Sequence, residues 1–267
     1  MPTIAFASPK GGVGKSTAAV LLATELAGFG AGVTMIDADP NKPLSQWAKR
    51  PDKPQNLTVL ADVTEDTVID SIESAALKTS FVIVDLEGTA SMMVGYAMSR
   101  ADLVIIPVQG SHLDATEAAK AIKLVRAQER VFKCEIPYRI LSTRTSAAIR
   151  TRTLQSIEAE FLANKIPMFD THLSERDAYR ALFAFGGVLS GLDTSQVSNI
   201  AAAILNARLF TNETVALLKT KVQACLLQYS HLHTCDEPPL CNSALSPSCH
   251  ALCAKRKAGA RCSGFWK

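Results

Sequence analysis

The sequence predicts an α/β fold, a mostly parallel twisted sheet with helices on both faces. Three observations predict it. Short β-rich runs alternate with longer helical ones through residue 210. Several of the short runs are unbroken apolar stretches, which suit strands buried on both faces. Their spacing is that of repeated βαβ units. In chain order, residues 3–8 (TIAFAS) read as a strand and 16–29 as a helix. Residues 33–37 (VTMID), 57–61 and 81–85 (FVIVD) read as further strands. Residues 102–108 (DLVIIPV) form a strand that leads to a helix over 114–132. Residues 138–142 are a strand, and 151–163 and 195–209 are helices. Ligands of such sheets bind at the carboxyl ends of the strands, so the chemistry should follow the strands directly.

Composition narrows the class. The chain has 267 residues, 48% hydrophobic and 20% charged. That apolar share buries a real core, and the charge is too low for a disordered chain. The length allows one to two domains. No uninterrupted apolar run reaches the ~18 residues of a spanning helix. The N-terminus lacks the basic and apolar regions of a signal peptide.

Charge and cysteine are unevenly spread. Residues 1–214 hold 21 Lys/Arg and 23 Asp/Glu, whereas residues 215–267 hold 7 and 2. Cys134 is the single cysteine of the first part, and the other six fall in the last 53 residues. The sequence therefore divides into a body, residues 1–220, and a Cys-rich basic tail, residues 221–267.

The strongest motif follows the first strand. It reads Pro9-Lys10-Gly11-Gly12-Val13-Gly14-Lys15-Ser16-Thr17 and leads into a helix. A phosphate loop needs glycines so that backbone N–H groups can close around phosphate oxygens. It also needs a Lys for the β- and γ-phosphates and a hydroxyl for Mg²⁺. The helix N-terminus adds partial positive charge. Pro9 stands where the usual pattern has its first glycine, and Lys10 follows it. The fold expectation is thus P-loop NTPase-like.

KGGVGKST resembles the deviant Walker A box of the ParA/MinD superfamily of ATPases, and the resemblance covers about residues 2–212. It implies ATP and Mg²⁺ as cofactors. It implies a nucleotide contact along Lys10, Gly11, Gly12, Val13, Gly14, Lys15, Ser16 and Thr17. It also implies an ATP-sandwich homodimer in which Lys10 reaches the partner's nucleotide. Asp37-Ala38-Asp39-Pro40 looks like the family's DxDP box. By that likeness Asp39 orients the hydrolytic water, and Asp37 supports Mg²⁺ or the loop. The same residues also suit a plain turn before Pro40. Asp85 ends a strand that resembles Walker B, and with Ser16 it is expected to hold Mg²⁺. Leu86-Glu87-Gly88-Thr89 departs from the Pro-Pro of many relatives. Leu103–Val108, with Pro107, resembles the strand near the adenine. The following His112 is read as a loop residue.

The targets are read from basic residues. No acid lies between Ile136 and Ile157, while Arg139, Arg144, Arg150 and Arg152 do. Such donors suit phosphates without reading bases. Arg144, Arg150, Arg152 and Arg176 are therefore the candidate DNA-binding residues, with a role at a dimer interface as the alternative for the Arg150 region. Lys120, Lys123, Arg126 and Arg130 recur at helical spacing, and each also suits a solvated face. Arg176 and Arg180 either face DNA or a partner or pair with nearby acids. A lone Cys134 in the body excludes the two-cysteine cluster site of iron-protein relatives.

Val215, Leu218, Val222 and Leu226 make an amphipathic stripe. It continues a packed helix or, in a MinD-like protein, lies on a membrane. Beyond Gln228, His231, His233, Cys235, Cys241, Cys249, His250, Cys253 and Cys262 lack the paired spacing of common zinc modules. The tail is expected to be disordered or non-native. The expected function is a small ParA-type plasmid-partition ATPase, cytoplasmic and nucleoid-associated. Its dimer binds DNA nonspecifically and is released when a centromere-binding, ParB- or ParG-like protein stimulates slow hydrolysis. A MinD-like positioning ATPase and a VirC1-like ATPase of conjugative DNA processing are the alternatives.

Overall fold

The computed structural model describes residues 1–88, 91–147 and 151–232, with residues 112–114 and 221–232 as backbone alone. Its strands are β1 (Thr3–Phe6), β2 (Val33–Ala38), β3 (Leu57–Leu60), β4 (Phe81–Leu86), β5 (Leu103–Val108), β6 (Tyr138–Thr145) and β7 (Leu173–Ser174). Its α-helices are α1 (Lys15–Gly28), α2 (Pro43–Ala48), α3 (Val68–Lys78), α4 (Met92–Ser99), α5 (His112–Phe132), α6 (Arg152–Ala163), α7 (Asp177–Phe185) and α8 (Ile200–Leu232). The strands form one sheet in the order β3-β2-β4-β1-β5-β6-β7. Every pairing is parallel.

The alternation of side chains along each strand divides the core in two. Ile4, Phe6, Met35, Ile83, Ile105 and Leu141 face one side, with α1, α2, α7 and α8. Ala5, Ile36, Val82, Val84, Ile106 and Ile140 face the other, with α3 to α6. Apolar residues at both parities explain why the strands read as unbroken runs. α1 is apolar nearly all round because it lies between the sheet and α8.

β1 is the centre of the sheet. The chain builds outward on its β4 side through β3, then crosses to β5 on the other side. The crevice at such a switch point lies over the carboxyl end of β1, where the glycine loop emerges.

Three expectations change. The helix expected over 195–209 is the single 33-residue α8. It begins after Asn199, whose φ of 55° turns the chain. No Gly or Pro interrupts it. Its Thr211, Thr214 and Thr220 hydroxyls donate to the carbonyls of Ala207, Phe210 and Ala216, so polar residues are accommodated inside the helix. The division at residue 220 therefore falls within a helix. His112, expected in a loop, begins α5, because the chain turns helical directly after Ser111. β7 was not anticipated, since two residues are too short to show a period. The tail residues from His233 onward, expected to be disordered or non-native, lie outside the described residues.

Candidate nucleotide-binding site

The glycine loop joins β1 to α1. Gly12 has φ 74° and Gly14, which caps α1, has φ 95°. Only glycine adopts such angles without strain. Lys15 opens the helix and is buried. Ser16 and Thr17 follow it, half-buried. Gly11 and Gly12 are exposed, and Val13 is buried beneath them. The Lys10 N–H donates to the Ser8 hydroxyl at 3.4 Å.

The sheet then brings three aspartates to this loop. Asp37 and Asp85 are direct neighbours across the β2–β4 ladder. Asp85 is fully buried, and neither carboxylate oxygen has a hydrogen-bond partner. Burial pushes its pKa up to about 7, and the charges of Asp37 and Asp39 push the same way. Ser16 and Lys15 pull against that rise, the Ser16 hydroxyl facing the carboxylate without completing a hydrogen bond. A buried carboxylate with two orphaned oxygens beside a hydroxyl and an ammonium is costly unless a cation completes it. The residues present therefore fit Mg²⁺. Among the described residues no three His, Cys, Asp or Glu side chains converge on one point. A cation here would be held by Ser16 and Asp85, with phosphate oxygens completing its shell as in Mg²⁺ sites of nucleotide enzymes.

Asp37 has a second task. Its Oδ2 accepts the Ser45 N–H at 2.8 Å and the Ser45 hydroxyl at 2.6 Å, which ties α2 to β2. Its Oδ1 is buried and unpartnered. Asp39 sits just beyond the strand. Its Oδ1 accepts the backbone N–H of Asn41 at 2.8 Å and its side-chain amide at 3.0 Å, an Asx turn. The turn before Pro40 is thus realised on Asp39, whereas Asp37 lies in β2. Lys42 was not anticipated. It has φ 50°, and its ammonium donates to the carbonyls of Asp37 at 3.0 Å and Ala61 at 2.7 Å. Nothing in its sequence context marks it.

Gly88 closes the other side. A Cβ there would lie 3.2 Å from the Pro9 carbonyl oxygen, so the loop after β4 packs against the glycine loop. Pro107 lies inside β5, opposite Leu141 of β6. Val104 N–H points to β6, so residue 107 would point its N–H at β1, and β1 pairs only as far as Ile105. The missing donor falls beyond the ladder, which is how a central strand tolerates proline.

The basic residues separate. Arg144 is exposed, with φ 51°, at an irregularity in the β6–β7 register. It lines a cavity of about 250 Å³ with Arg176, Arg180, Tyr179, Gly14 and Thr17. The Nε of Arg176 is buried without a partner. Arg180 pairs with Glu175 and with Asp177. Neither Pro107 nor Arg152 lines that cavity. Arg152 is exposed at the first turn of α6, where a cation opposes the helix dipole by about 0.3–1 kcal/mol and an anion would relieve it. Arg150 lies outside the described residues. On α5, Lys120 pairs with Glu117 and Arg126 with Glu129. Arg139 donates to the Met168 carbonyl and so pins β6 to the next segment.

The chain has relatives. The VirC1 protein family model matches residues 1–228. A Protein ParA from Rhizobium radiobacter is 43% identical over 224 residues, 84% of this chain and 99% of that protein. A virC1 protein from Rhizobium rhizogenes is 27% identical over 187 residues, 68% of this chain and 80% of that one. Among solved structures, a plasmid partition protein from Borrelia burgdorferi B31 bound to AMPPNP matches with a TM-score of 0.61 at 19% identity, covering 80% of this chain and 98% of that one. The MinD cell division protein of Aquifex aeolicus matches with a TM-score of 0.58 at 21% identity, covering 78% and 96%. At those identities the structures establish the fold. With a phosphate loop on the central strand and an acidic pair beside it, the chain belongs to the VirC1 protein family, within the ParA/MinD superfamily of P-loop ATPases.

Proposed function

We propose that the chain is a ParA-type DNA-partition ATPase. One observation carries the reading. A buried, unsatisfied Asp85 lies beside Ser16 and Lys15 at the open end of a glycine loop, in a chain 43% identical to a Protein ParA along nearly its whole length. Solved proteins of the same fold hold AMPPNP, ATP, or ADP with magnesium, which supports the same ligands here.

In this reading the amides of Gly11 to Gly14 and the Lys15 ammonium bind the phosphates. Ser16 and Asp85, with Asp37 behind them, hold Mg²⁺, which neutralises phosphate charge when bound. Asp39 accepts a hydrogen bond from the attacking water and orients it. Its Oδ1 is engaged by Asn41, so Oδ2 does this. Thr17 lines the cavity beside the loop, which takes the nucleoside end, with Pro107 on the strand nearby. Lys10 reaches the nucleotide of a second copy and stabilises charge across the dimer. The closed dimer binds DNA through phosphate contacts from Arg150 and Arg152, while Arg144 and Arg176 serve the nucleotide cavity that they line. A centromere-binding partner stimulates hydrolysis, and DNA is released.

A second reading, assistance of conjugative DNA processing, is favoured by the VirC1 family match itself. Both are tested by nonspecific DNA retention and ATP hydrolysis with and without the neighbouring DNA-binding protein. Partition predicts retention that requires ATP and hydrolysis that rises with the partner. Retention that ignores ATP removes the switch and the reading with it. Stimulation by a relaxase complex instead would select the second. ATP-dependent sedimentation with anionic vesicles and no DNA retention would point to a MinD-like activity.

A further inference from the structure

The glycine loop is held from outside. Thr143, on β6, donates its hydroxyl to the Val13 carbonyl at 2.7 Å and lies 3.3 Å from the Val108 carbonyl. One proton serves both acceptors, and the shorter contact makes Val13 the main one. Thr143 is 3% exposed, so water does not substitute for it. Gln109, just after β5, donates its side-chain amide to the Gly12 carbonyl at 3.1 Å. Two successive peptide groups of the loop are therefore gripped by their oxygens.

A trans peptide points its N–H opposite to its C=O. The Thr143 bond thus turns the Gly14 N–H away from β6, and the Gln109 bond turns the Val13 N–H away from Gln109. A loop with glycines at positions 11, 12 and 14 has little torsional preference of its own. Its amides need an external frame to stay aligned. β6 supplies one at close range, since a Cβ on Gly14 would lie 3.7 Å from the Thr143 Cβ.

We propose that Thr143 and Gln109 are positioning residues that set the Val13 and Gly14 amides toward phosphate before nucleotide arrives. The inference rests on the nucleotide reading of this loop. Neither residue belongs to the motif. Thr143 acts on the loop backbone and also forms a wall of the adjoining cavity, so it joins the phosphate end of the site to the other end.

The test uses the full chain with Mg²⁺, a fluorescent ADP analogue as the probe, and adenosine as a phosphate-free competitor. Thr143→Val should weaken the ADP analogue about five- to tenfold, the size of one lost buried hydrogen bond. Thr143→Ser keeps the hydroxyl and should stay within about twofold. Gln109→Ala removes an exposed bond and should weaken binding about two- to threefold. Competition by adenosine should be unchanged in Gln109→Ala, because Gln109 does not line the cavity. In that variant a general loss of structure would weaken both ligands together, and that result overturns the proposal, as does unchanged ADP binding in Thr143→Val and Gln109→Ala. Should Thr143→Val fail to fold, Gln109→Ala decides the matter from the surface. If the unaltered chain itself does not bind the ADP analogue, the nucleotide reading falls and takes this inference with it.

Discussion

Asp85 carries the sharpest consequence of the fold. Its pKa is raised by burial to about 7, against an ordinary 3.8. Between those values the folded chain holds a proton that the unfolded chain has lost. Stability of the metal-free protein should therefore fall as pH rises from about 4 to about 7, by up to about 1.4 kcal/mol per pH unit from this group, and level off above. Urea unfolding in a chelator across that range checks it, and Asp85→Asn should flatten the slope. Lys15→Ala should abolish measurable ATP hydrolysis, because the ammonium has no substitute at the β- and γ-phosphates. Intact hydrolysis in that variant would defeat the mechanism. Lys42 is legible only in three dimensions. Its ammonium bridges the ends of β2 and β3, and Lys42→Met should cost about 1 kcal/mol, read as a Tm lower by about 2–4 °C.

The elements show where periodicity succeeds and fails. Long apolar strands and α1 were readable because burial on all sides leaves an unbroken apolar run. α8 was half-readable. Its threonine-bearing middle dilutes the apolar stripe, yet the hydroxyls of Thr211, Thr214 and Thr220 are absorbed by the carbonyls one turn back. The turn after α7 was not readable at all. Gly186 has φ 88°, and a Cβ there would lie 2.4 Å from the Arg50 Cβ and 2.8 Å from the Pro51 oxygen. This glycine lets α7 close against the segment after α2. Gly186→Ala should cost at least about 2 kcal/mol, seen as a lower urea midpoint with nucleotide affinity retained.

Taken whole, the molecule is a sheet whose switch point places one glycine loop, three aspartates and a cavity side by side. Family and relative both match the body: the family model spans residues 1–228, and the 43% identical Protein ParA aligns over 224 residues. We propose that the division of the chain lies at the end of α8 and not at residue 220, which is inside that helix. Removal of residues 233–267 should leave the unfolding midpoint and the ATP hydrolysis rate unchanged. A loss of either on truncation would show that the Cys-rich tail belongs to the working protein.

The sequence by itself determined the class of fold and the chemistry of the loop. Strand burial imposes unbroken apolar runs, and phosphate binding imposes glycines, a lysine and a hydroxyl at fixed spacing. Both are local demands, so they are written locally. Only the tertiary structure decided which residues frame that loop. Thr143 is 130 residues from Val13 and Gln109 is 97 from Gly12, and parallel strands bring them together by register alone. It also split the arginines, placing Arg144 and Arg176 in one cavity and Arg152 on a separate helix end. A hydrogen bond to a backbone carbonyl asks for any donor at the right place in space, so it leaves no pattern along the chain.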